Sequence, residues 1–259
     1  MKRTTYVIIL AIVTIFCIIF GAYINLKHSA GGIKKAGKAV SKAFTRDYLD
    51  ADDDDDLFAY DDYDDDDNDD DAMEFDSEDL SAFDVVSVEG SVLALVISRG
   101  SSYSIDARYN NPRLQPEYSL NNGRLRISQK RKIRRLVGNS KCKVTITVPY
   151  GVTLDKLDVD VDVGAIELSG FDVDTASIST DVGAISVNRV DFKDMVIKSD
   201  VGAVSIELLD DVEKYDINAS SDIGSIVVND ESVKRRYNQA GSNGKRLKLN
   251  TDVGGIEIK

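Results

Sequence analysis

Five aspartates, Asp162, Asp181, Asp200, Asp222 and Asp252, recur along the last hundred residues with steps of 19, 19, 22 and 30. Each opens the same phrase: Asp, Val or Ile, Gly, a small residue, Ile or Val, any residue, and a closing aliphatic. Units of this period stack, and stacking would bring the carboxylates into a row about 5 Å apart. Such a row could ligate calcium through oxygen or supply a carboxylate pair for polysaccharide cleavage. An Asp two residues before a Gly also has a purely structural use, accepting a hydrogen bond from the backbone of its own turn. Calcium-binding solenoids repeat Gly and Asp more densely than this. The phrase therefore reads first as a set of corners, Asp162/Gly164, Asp181/Gly183, Asp200/Gly202, Asp222/Gly224 and Asp252/Gly254, with no catalytic, metal or cofactor-binding residue assigned.

Other reactive side chains are scarce. The single histidine is His28, far from the repeats, and the two cysteines are Cys17 and Cys142. Histidine-based acid–base or triad chemistry within the repeats is thereby excluded. One thiol in each region makes neither a zinc site nor an intrachain disulfide. Trp is absent, which removes the best platform for stacking on sugars. Between residues 124 and 143 stand nine bases and no acid. Of these, Lys130, Arg131, Lys132, Arg134 and Arg135 form the densest cluster, read as a hairpin loop that contacts a polyanion. Anionic wall polymer, lipid headgroups or another envelope protein would suit it. Nucleic acid suits it less, because the loop lacks aromatics for base stacking.

The elements that must position these residues follow from the columns around each Asp. Five before it stand Leu157, Ala176, Met195, Ile217 and Leu247; three before it, Val159, Ile178, Ile197, Ala219 and Leu249. One, four and six residues after it the columns are aliphatic again, beginning with Val163, Ile166 and Leu168. Polar residues alternate with them. The pattern predicts two short strands joined at a corner, with all five columns facing inward and Gly supplying a left-handed or strained corner backbone. Such a strand pair buries its apolar row only by stacking on its neighbours. The expected fold is all-β, a parallel β-helix-like solenoid of about five coils (154–259) on an amino-terminal β segment (81–153). The last copy would end the chain as an uncapped strand, a place for self-association unless residues 229–245 fold over it.

From residue 83 onward the sequence resembles the bacterial putative-adhesin domain family of β-solenoid repeats. The resemblance rests on the entry phrase Val144-Thr-Ile-Thr-Val-Pro-Tyr-Gly151 and on the coils beginning Asp162-Val-Gly-Ala-Ile and Asp181-Val-Gly-Ala-Ile. It implies a solenoid fold and a cell-envelope setting, and it brings no catalytic residues. Relatives commonly carry Asp after the corner Gly, where this chain has Ala, Ser or Gly.

The amino-terminal third reads as an attachment. Residues 6–24 are 19 uncharged, mostly aliphatic positions, enough for one membrane-spanning helix within residues 1–26. Residues 27–46 place Ile33, Val40 and Phe44 opposite Lys34, Lys35, Lys38 and Lys42, a basic amphipathic segment suited to an anionic membrane surface. From residue 47 to 79 there are 18 Asp, 2 Glu and no base, so the net charge of −13 belongs to this stretch, read as a disordered tether over 47–80. Lysines after the apolar run would hold the solenoid in the cytoplasm by the positive-inside rule, whereas the family resemblance implies the outside, and that placement is the one adopted. The expectation is a single-pass cell-membrane protein whose extracytoplasmic solenoid is a non-enzymatic, adhesin-like binding module. The alternative is a regulatory or scaffolding accessory of a membrane stress-response system.

Overall fold

The computed structural model describes residues 74–129 and 140–259. These form fifteen strands: β1 (Glu74–Asp79), β2 (Val85–Gly100), β3 (Ser104–Tyr109), β4 (Glu117–Asn121), β5 (Arg124–Ser128), β6 (Cys142–Pro149), β7 (Thr153–Ser169), β8 (Asp172–Asn188), β9 (Asp191–Glu207), β10 (Asp216–Ile223), β11 (Ile226–Val228), β12 (Glu231–Val233), β13 (Arg236–Gln239), β14 (Arg246–Val253) and β15 (Ile256–Ile258). Short 3-10 turns lie at Pro112–Leu114 and Val212–Lys214. No helix among the described residues is long and apolar enough to cross a membrane. The expected anchor, the amphipathic segment and most of the acidic tether lie outside the described residues. The tether's last residues do not continue as tether, since β1 pairs antiparallel with β3.

The repeats form the expected solenoid. β7, β8 and β9 each run through a corner and pair in parallel, with every aliphatic column in register: Leu157, Ala176 and Met195, for example, then Ile166, Ile185 and Val204. Stacking like on like makes continuous buried ladders from strands too short to shield an apolar row alone. Each fully buried aliphatic is worth roughly 1.5–3 kcal/mol.

The stack is longer than the phrase count. β2 is a full coil, paired in parallel with β7 over its whole length, with Ser91 in line with the corner Asp and Leu93 opposite Gly164. Beyond it, β5 and β6 pair in parallel with the two halves of β2. They are the two arms of one further coil, not the arms of a hairpin as the sequence suggested. The hairpin partner of β5 is β4, joined through Asn122 and Gly123 at φ 50° and 74°, the left-handed pair that a tight two-residue hairpin turn demands.

Stacking order and chain order part at the far end. β14 lies between β9 and β10, parallel to both, and β15 lies between β9 and β11. The last repeat is therefore an inner layer, not the uncapped edge expected, and self-association through it finds both of its edges occupied. The end layer is β10/β11, and residues 229–245 do fold over an end: β13 and β12 pair antiparallel with β10 and β11 and close it. At the other end β4 covers β5, and β3 with β1 covers β6.

Candidate functional site

The corners line up along one edge. Five and three residues before the Asp the columns point inward as expected, and so does the position just before it, with Thr180, Ser199, Ser221 and Thr251 buried in line with Val161. The Asp and the residue after it both face outward. Val163, expected inside, is 40% exposed and Ile223 is 63% exposed. Two successive outward residues are what turns the chain at the corner, and they shift the alternation by one. The edge thus carries two parallel columns, one of carboxylates and one of aliphatics, the latter running Val92, Val163, Val182, Val201, Val253 and Ile223.

The glycines have a reason other than a left-handed backbone. A methyl group on Gly183 would stand 1.8 Å from the Gly164 carbonyl oxygen, on Gly202 1.6 Å from that of Gly183, and on Gly224 1.8 Å from that of Gly254. Each corner packs directly on the carbonyl of the coil before it, and only hydrogen fits. Leu93 escapes this rule because β2 pairs with β5 only up to Glu89 and with β6 only from Ala94, so no strand of that coil pairs with it at the corner.

None of the five aspartates makes the turn hydrogen bond expected of it, nor any ion pair with a described residue. Burial, and then the facing Asp162 and Asp200, push the carboxyl of Asp181 above the usual range, as like charges in a column must. No three His, Cys, Asp or Glu among the described residues are grouped to share one cation.

Lys130, Arg131, Lys132, Arg134 and Arg135 lie outside the described residues, but the two feet of their segment are fixed. At one foot Gln129, 4% exposed, accepts from the backbone N–H of Ser91 and of Val92 (both 3.1 Å) and donates to the carbonyl of Leu114 at 2.7 Å. Its amide thereby serves backbone groups that an intact corner would serve. At the other foot Ser140 receives a hydrogen bond from Asn111 (3.1 Å), and Lys141 donates its N–H to Asn110 at 2.7 Å. The two ends of the basic segment, Gln129 and Ser140, thus lie at the β2 corner. The flanking bases diverge: Arg126 pairs with Glu89 at 3.2 Å, and Lys143 sits on the other arm, its ammonium pushed to lower pKa by burial and by Arg108. Cys142 faces the core, and burial pushes its thiol up to about 12 against a smaller opposing pull from Gln129, so it is no thiolate nucleophile.

Residues 86–259 match the Toastrack DUF4097 family. The chain belongs to that family. The Toastrack domain is similar in fold to a crystal structure described as a putative cell adhesion protein from Clostridium sporogenes, at 15% identity over 73% of this chain and 99% of that one, with TM-score 0.57. More distant are a putative adhesin from Bacteroides fragilis (12% identity, 73% and 97% covered, TM-score 0.33) and a putative lipid binding protein from Parabacteroides distasonis (12%, 72% and 96%, 0.26). The search of curated proteins gave no match.

Sequence reasoning missed three residues that shape the edge. Gln129 was hidden inside a run read as a basic loop. Thr180 and Ser199 sit one position before the Asp, and only the shifted alternation turns them inward. Asn122-Gly123 was the one readable signal, since that dipeptide between alternating apolar residues marks a hairpin.

Proposed function

We propose that this Toastrack protein is a membrane-anchored, non-enzymatic binding module displayed on the outer side of the bacterial membrane, whose corner edge carries a basic contact for polyanions. The observation that supports it most directly is the pair of fixed feet, Gln129 and Ser140–Lys141. They fix the two ends of the segment that carries Lys130, Arg131, Lys132, Arg134 and Arg135, and both ends lie where the neighbouring coil turns its corner. The apolar residues 6–24 supply the anchor, and the acidic residues 47–73 the spacer. A protein whose only histidine is His28 and whose solenoid thiol is buried offers binding chemistry at this edge, not nucleophilic catalysis. The cell-adhesion description of a protein similar in fold agrees with that role.

Vesicle co-sedimentation tests the contact. The chain is expected to bind vesicles containing anionic lipid, and the change of Arg131, Lys132, Arg134 and Arg135 to Ser should abolish that binding; unchanged binding removes the assignment. Protease treatment of wall-stripped cells carrying a tag after Lys259 tests the side. Loss of the tag is expected, and protection until lysis would place the solenoid in the cytoplasm.

A further inference from the structure

A depression of about 660 Å³ lies away from the corner, on the outer face of the first strand arm, over β9, β14, β10 and β13. Its floor is one row in register across four strands: Val196, Lys248, Asn218 and Asn238. A smaller hollow of about 320 Å³ adjoins it, lined by Ser220, Asn250 and Arg236.

The acids of the depression are already engaged. Asp194 holds Arg246 at 2.5 Å, and Asp216 accepts the N–H of Gly241 at 2.6 Å. Apart from Arg246 the cations are not: Lys248, Arg236 and neighbouring Lys198 form no ion pair with a described residue, and the Asn218 and Asn238 side chains form no hydrogen bond with one. Asp222, at the corner end of the smaller hollow, is the one acid among the described residues that line it, and it pairs with no described residue. Free positive charge therefore stands beside free primary amides. An ammonium or guanidinium takes an anion, while an amide offers a donor and an acceptor together, which matches hydroxyl groups. Strand spacing of about 4.8 Å spreads the four-strand row over roughly 14 Å, and the depression is open rather than closed over. These features suit a length of chain better than a small molecule.

We infer that this face binds a strand of anionic polysaccharide, Lys248, Arg236 and Lys198 holding its carboxylates or phosphates and Asn218 and Asn238 its hydroxyls. The inference rests on the binding-module reading and gives it a ligand class and a second surface. It depends on the way β14 enters the stack, because Lys248 reaches the row only by lying between β9 and β10.

The test is binding of the full chain to polygalacturonate, to uncharged dextran and to linear polyphosphate at physiological salt. Polygalacturonate is expected to bind at least tenfold more tightly than either of the others. Lys248→Glu with Arg236→Glu should weaken it at least tenfold, and Asn218→Ala with Asn238→Ala should weaken polygalacturonate while leaving polyphosphate unchanged. These residues are on the outer face, so unfolding midpoints should not move. Equal binding of polyphosphate and polygalacturonate would overturn the hydroxyl contacts and with them the polysaccharide. Binding that survives the Lys248/Arg236 change but is lost on changing the four 131–135 bases to Ser would overturn this surface and leave the corner contact standing. Loss of vesicle binding with polygalacturonate binding intact would do the reverse.

Discussion

Replacing Gly183 by Ala puts the tightest demand on the stack. The added methyl would lie 1.8 Å from the Gly164 carbonyl oxygen, and no Cβ tolerates an approach under 3.0 Å, so the coils must part by more than 1 Å. A backbone hydrogen bond of about 2.9 Å stretched by that amount leaves bonding range. Losing about two such bonds costs about 2 kcal/mol, at about 1 kcal/mol net each and more when a buried group is orphaned. Overpacking adds about 1–3 kcal/mol, for a total of roughly 3–5 kcal/mol. In a domain of this size 1 kcal/mol moves the midpoint by about 2–4 °C, so far-ultraviolet circular dichroism should record a fall of about 6–20 °C. Gly170→Ala is the control. Gly170 has φ +68° with nothing within 4 Å of the added carbon, so it pays only the left-handed backbone cost of about 1 kcal/mol, or about 2–4 °C. If Gly183→Ala falls no further than Gly170→Ala, the carbonyl-on-glycine account of the corner is wrong.

Asp181→Asn should raise the midpoint at neutral pH. A carboxyl whose folded pKa is raised costs nothing below its unfolded pKa near 3.8, and its penalty grows as pH rises through the folded value. The gain should therefore vanish on titration to about pH 3.5, and a variant less stable than the parent at pH 7 would refute the crowding of the column. Thr180→Val should stabilise by about 1 kcal/mol in urea unfolding, because the Thr180 hydroxyl is buried without a hydrogen-bond partner and Val161 fills the same position one coil earlier; a loss of stability would show that the hydroxyl has a use. Gln129→Ala should cost about 2–4 kcal/mol by orphaning the Ser91 and Val92 N–H groups and the Leu114 carbonyl, and a change under 1 kcal/mol would deny that role. Deleting residues 232–244 strips β12 and β13 from the end layer and should give concentration-dependent oligomers in sedimentation; a strictly monomeric product would count against the cap.

The solenoid was legible because five corners repeat and their apolar columns keep a two-residue period up to the Asp. The first coils were not legible as coils. β2 has Ser91 and Leu93 where the phrase needs Asp and Gly, and the coil made of β5 and β6 is split by residues 129–141. Stacking order was illegible for a physical reason. Leu247 and Leu249 fit beside Met195 and Ile197 as well as Ile217 and Ala219 would, so like-on-like packing cannot say which layer follows β9. At the site, the corner Gly was assigned to backbone strain and the Asp to turn hydrogen bonding. The tight contacts of the Gly lie instead between coils, which a single repeat does not contain, and the Asp makes no turn hydrogen bond. The face holding Lys248 and Asn218 was invisible, since residues 30 apart meet only through the interleaved order.

That interleaving makes the order of synthesis differ from the order of assembly. β10 to β13 leave the ribosome before β14 and β15, yet they close over them. Until residues 246–258 arrive, β9 and β10 present two facing edges with a missing layer between them, and a chain truncated before residue 246 keeps both open. The final segment thus acts as the keystone of the arch, and a domain that protects its edges is one that has been translated through its last repeat.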